Sequence, residues 1–183
     1  MVVSRKSTAV RLDLDRKNYA YGDTARATIR VEHTSGTVCL AGNLGQSTCT
    51  ETNRAGVAHL TYDPMEQNTI FTASFAGNGT YAPASTRVSV TTSAQLQESL
   101  RGRTFTVVVQ PYRPGAKVQF TTQALVRGKW NTVATRTVRL DGNSQAGTTV
   151  TGPAGTNRIR ASFIADSTNT AADGAWLSFT VNR

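Results

Sequence analysis

The chain reads as all-β, two tandem β-sandwiches joined by a short linker. Three observations carry that expectation. Apolar and polar residues alternate at period two through most of the sequence, as in Phe71, Ala73 and Phe75 with Thr72 and Ser74 between them. Gly, Asn, Asp and Pro clusters interrupt the alternation at short intervals, the spacing of strands in a sandwich. The text also changes character between Ser93 and Arg103, where SAQLQESLRGR is rich in Gln and Glu. At 183 residues the chain has length for one domain or two, and 38% hydrophobic content suits two thin sandwiches with solvated outer faces.

Val10, Leu12 and Leu14 alternate with charged residues to give a half-buried first strand, and residues 16–23 turn the chain. Ala25, Ala27, Ile29 and Val31 form a second strand. Two short runs around Cys39 and Cys49 flank Gly42, Asn43 and Gly45, so they fold back as a hairpin that brings the thiols to bridging distance. A disulfide there restricts the unfolded chain by about 2 to 3 kcal/mol and implies an oxidising compartment. Ala58, Leu60 and Tyr62 share the face of a further strand, which ends at Asp63-Pro64. The pair of strands TIFTASF and TRVSV, joined by a Gly77-Asn78-Gly79 corner, closes a first domain over residues 7–92.

Residues 93–103 read as the linker, with Leu96 and Leu100 packing at the junction. The second domain, 104–183, repeats the strand logic. Phe105, Val107 and Val109 alternate, a strand through Val118 and Phe120 reaches a tip at Arg127-Gly128-Lys129, and Trp130 opens the return strand. Ile159, Ala161 and Phe163 point inward with Arg158, Arg160 and Ser162 outward, and Leu177, Phe179 and Val181 make the last strand.

These texts carry a resemblance. TASF followed by GNGTYAP, together with NYAYGD before the second strand, resembles bacterial immunoglobulin-like repeats. GAKVQFTTQALVRGKW, NRIRASF and GAWLSFTV resemble the C-terminal β-domain that follows such repeats in secreted proteins of Gram-positive bacteria. The resemblance covers most of Val10 to Val181. It implies two immunoglobulin-like β-sandwiches, an extracellular or cell-surface location, and no cofactor. Where relatives of this kind carry a second Cys pair, this chain has Lys117 and Thr137.

The charge is uneven. The net charge of +9 is concentrated in the second half, a bias that favours anionic partners and also serves solubility. No run of 18 apolar residues occurs, so no membrane span is expected. MVVSRKST has no apolar core of a signal peptide, and a secreted protein would carry this text as a mature or excised segment.

Neither His33 nor His59 sits in a catalytic motif, and two cysteines with two distant histidines make a poor metal set. Asp13 and Asp15 read as a charged outer face, Asn78-Gly79-Thr80 as a turn, and Asp141-Gly142-Asn143 as a turn too poor in carboxylates for calcium. An enzyme is therefore not expected. Two function classes stand: a spacer or stalk, and a module binding a cell-wall polymer, a glycan or another protein, with nucleic acid disfavoured. Candidate binding residues for the second class are Arg158, Arg160, Lys117 and Trp176, the last either as an outward ring able to stack on a sugar or, as large aromatics usually are, as a ring covering the sandwich edge or the module interface. Substitution of the outward arginines is expected to leave the fold intact.

Overall fold

The computed structural model describes residues 4–182, and among them every regular element is a strand. The chain divides into two compact units, Met1–Thr92 and Ser93–Arg183.

In the first unit a three-stranded sheet has the order β1 (Val10–Leu14), β3 (Ala25–Val31), β6 (Val57–Tyr62). A five-stranded sheet has the order β2 (Asn18–Ala20), β8 (Ala84–Ser93), β7 (Thr69–Phe75), β4 (Thr37–Ala41), β5 (Ser47–Glu51). All of these pairings with a stated register are antiparallel, and their inward rows form one core that includes Ile29, Val38, Leu40, Phe71 and Phe75. Phe71 is wholly buried and meets the edge of Tyr62 at 5.0 Å between ring centroids. Truncating a buried Phe of this kind costs about 3 to 5 kcal/mol. One tight turn depends on glycine: at Gly56, with φ of 74°, an added Cβ would lie 2.3 Å from the Val31 carbonyl oxygen.

The turn expected over 16–23 contains the short strand β2, whose Tyr19 is buried. Asn78 braces the corner after β7. Its Oδ1 accepts the N–H groups of Thr80 and Tyr81 at 2.9 and 2.8 Å, and its Nδ2 donates to Thr34. Cys39 and Cys49 stand directly opposite one another on β4 and β5 and are bonded, S–S 2.03 Å.

The second unit corrects the linker. Residues 95–101 are β9, paired along their full length with β10 (Thr104–Gln110) across a turn at Gly102. A spacing of four fits one face of a helix and one face of a strand alike, and here Leu96 and Leu100 pack from a strand onto the core. The domain that was expected to begin at 104 therefore has its first strand inside the expected linker. β13 (Gln145–Thr149), a strand whose text QAGTT has no apolar alternation to announce it, completes the order β13-β10-β9.

The second sheet runs β12 (Lys129–Arg139), β11 (Lys117–Val126), β14 (Gly155–Phe163), and beyond β14 the short β15 (Ala172–Asp173) and β16 (Leu177–Val181). Phe105, Val107, Val118, Ile159, Ala161 and Phe163 fill the core. Lys117 is opposite Arg139, and Thr137 is opposite Gln119, so Lys117 and Thr137 are not cross-strand partners.

Candidate binding face

The site begins with the pleat of β14. Asn157, Ile159, Ala161 and Phe163 are buried, which turns Arg158, Arg160 and Ser162 to the outer face. Register across the sheet sets Gln123 of β11 opposite Arg158 and Thr121 opposite Arg160. On β12, Trp130 lies opposite Leu125, just past an irregularity at Thr122/Gln123.

The Arg158 guanidinium stacks on two indoles, 4.2 Å from the Trp130 ring and 4.2 Å from the Trp176 ring. Arg160 stacks on Trp176 at 4.7 Å. The four side chains make a ladder in the order Trp130, Arg158, Trp176, Arg160. A cation over an indole face is attracted by the ring quadrupole. Arg158 also donates Nε and Nη2 to Gln123 Oε1 at 2.9 and 2.7 Å, which fixes the plane of its fork without neutralising its charge. Arg160 pairs with Asp173 at 2.9 Å, and Ser162 donates to the same carboxylate at 2.6 Å.

Trp176 reaches this face because the last strand is broken between β15 and β16. Glu98 of β9 reaches across to the break and accepts the Ala161 N–H at 2.6 Å and the Ala175 N–H. Burial pushes its carboxyl above the ordinary range, although the two N–H groups and Arg160 pull the other way. Gly174 leaves room for it, since a Cβ there would come within 2.3 Å of that carboxylate and force it to shift from its N–H partners.

The structure therefore brings together three of the four expected residues, Arg158, Arg160 and Trp176. Lys117 lies at the far end of the same outer face, opposite Arg139, six residues and about 20 Å along β11 from Gln123. Two expectations change. The Trp176 ring is engaged by two guanidinium groups, so it is not an open platform for a sugar. The two arginines are packed rather than free, so their substitution does reach the fold. Trp130, Gln123, Asp173 and Glu98 complete the arrangement. The outward phase of Gln123 was readable, whereas the break that presents Trp176 has no signal beyond Gly174.

Both histidines belong to the first unit, where His33 is exposed and His59 on β6 shares a hydrogen bond with Thr28 at 3.1 Å. Among the described residues no group of three or more His, Cys, Asp or Glu side chains is placed to hold a metal ion, and no helix is long and apolar enough to cross a membrane.

No family model and no curated protein matches the sequence. Solved structures give distant likenesses. An Escherichia coli alpha-2-macroglobulin shares 11% identity over 93% of this chain and 14% of its own, TM-score 0.37. A 1.5-MDa bacterial ice-binding adhesin shares 15% over 98% of this chain and 66% of the compared chain, TM-score 0.35. The human OSCAR ligand-binding domain shares 10% over 97% of this chain and all of its own, TM-score 0.36. The chain thus spans about a seventh of the macroglobulin and just under two thirds of the adhesin chain. At such scores the likenesses assign nothing, and the all-β architecture rests on the strands themselves.

Proposed function

We propose that this chain is a non-catalytic extracellular module, two tandem immunoglobulin-like sandwiches serving a larger secreted bacterial protein as a spacer or interaction segment. The observation that carries the reading is a strand order used twice. β1-β3-β6 beside β8-β7-β4-β5 has the connectivity of β9-β10-β13 beside β16-β14-β11-β12. Both correspond to strands A, B and E on one sheet and G, F and C on the other, the immunoglobulin scheme, with a further strand beside C. The bonded Cys39 and Cys49 support an oxidising compartment.

Surface proteolysis of intact producing cells, paired with thiol titration of the released protein, tests this. Release or cleavage at the surface with no titratable thiol is expected. A protease-protected pool inside the cell with two free thiols would overturn the extracellular reading.

A further inference from the structure

We infer that the outer face of the β12-β11-β14-β16 sheet binds a linear acidic polysaccharide, laid along the strands from the Trp–Arg ladder to Lys117 and Arg139. This deepens the interaction reading above and rests on it. The first argument is charge. Among the described residues the outer face carries four cations, Lys117, Arg139, Arg158 and Arg160, against the carboxylate of Asp173, with Glu98 reaching in from β9 behind it, and the exposed Arg127 and Lys129 flank its ladder end. Among the described residues the hydrogen-bonding partner of Arg158 is a neutral amide, so its charge is not neutralised by a carboxylate.

The second argument is order. Stacking and the Gln123 fork hold Arg158 in one conformation, so less side-chain freedom is lost when an anion arrives. The third is what lies between the charges. Gln119, Thr121, Thr135 and Thr137 are paired across β11, β12 and β14 on the same outer face. Amides and hydroxyls in that position suit a polymer that carries hydroxyl groups between its sulfates or carboxylates. Single-stranded nucleic acid is the weaker match, because base stacking needs aromatic rings that are free, and Trp176 is engaged by two arginines.

The test is calorimetric titration of the full 183-residue protein with a heparin-derived decasaccharide across a salt series. Lys117→Gln/Arg139→Gln, which leaves the ladder untouched, is expected to weaken binding about tenfold at low salt and to lower the salt slope by about two. The charge-matched control Arg30→Gln/Arg87→Gln, on exposed positions of the first unit, is expected to stay within about twofold. Arg158→Lys keeps the net charge and is expected to weaken binding through loss of the fork. Equal losses in both double variants, no binding of the decasaccharide, or equal or tighter binding of oligo(dT) or of phosphatidylglycerol vesicles would each overturn the inference. These outcomes are read on purified protein, independently of the surface location and thiol state that test the module reading.

Discussion

Glu98 on β9 accepts the backbone N–H of Ala161 on β14 at 2.6 Å, a link from one sheet of the second unit to the other. The same carboxylate takes the N–H of Ala175, the residue before Trp176. It thus fills the gap where the last strand leaves β14 and sets the start of the ladder. Removing it strands two backbone donors, and each unsatisfied group costs about 1 to 3 kcal/mol. Glu98→Ala is expected to lower the denaturation midpoint and shift tryptophan emission, read by urea unfolding.

The same group gives a pH dependence. Its folded carboxyl titrates above the ordinary value because burial penalises the charge. Between the unfolded and folded values the native state holds the extra proton. Its contribution is therefore complete below the ordinary carboxyl range and is lost as pH rises through the folded value. Glu98→Gln is expected to flatten this part of the stability profile, and an unchanged profile would assign the pH dependence to other groups.

Gly174 and Glu98 are coupled by space. A Cβ at 174 would meet the carboxylate at 2.3 Å, so Gly174→Ala is expected to destabilise the wild-type background. In the Glu98→Ala background the obstacle is gone and the cost should shrink. A double-mutant cycle with an interaction energy of about 0.5 kcal/mol or more checks this, and strict additivity would refute it.

The ladder has a direct optical readout, because Trp130 and Trp176 are the two tryptophans of the chain and both stack on Arg158. Each stacked cation contributes about 0.5 to 2 kcal/mol depending on desolvation. Arg158→Ala is expected to cost about 1 to 3 kcal/mol on that basis and to alter the emission of the folded state. Emission and stability matching wild type would mean the stacking has no energetic weight.

What was legible in the sequence follows from period two. Alternation placed Ile29, Phe71, Phe75, Ile159 and Phe163 inside and Arg158 and Arg160 outside, because a pleated strand can present its residues in only two phases. The same logic failed where alternation is weak or ambiguous. Leu96 and Leu100 fit helix and strand equally, and QAGTT offers no apolar row. Contacts across strands were less readable than faces. The ladder depends on register between β11, β12 and β14 and on the break at residues 174–176, and register is a property of pairs of strands rather than of any one of them.

The cross-strand bridge between Cys39 and Cys49 closes a short loop, and the chain-entropy account gives it about 2 to 3 kcal/mol. Cys39→Ser/Cys49→Ser is expected to lose about that much unfolding free energy and so to unfold at a lower urea concentration. The hairpin register of β4 and β5 is also held by its β4–β7 neighbour, so the variant should still fold at room temperature. Loss of all cooperative unfolding would show that the bridge, rather than the core, holds the first unit.

Tyr19 gives the last test, at the alkaline end. Its hydroxyl donates to Asp15 at 2.8 Å from a buried position on β2, and Asp15 also accepts the Arg26 N–H at 2.9 Å. Burial, then the hydrogen bond and charge of Asp15, push the phenol up to about 12 from an ordinary value of 10.0. The protonated phenol is the form that the fold favours, so its contribution is complete below the ordinary value and is lost as pH climbs from there towards about 12. Burial also raises the Tyr62 phenol, so ultraviolet titration of the folded protein should show two of its five tyrosines ionising late, and Tyr19→Phe should remove one of those two steps. The variant should also be less stable near neutral pH by about 0.5 to 1.5 kcal/mol for the lost bond, and stability should fall less steeply above pH ~10 than in wild type. A Tyr19→Phe profile that keeps both late steps would place the perturbed group elsewhere and remove the account of how β2 is anchored to the loop after β1.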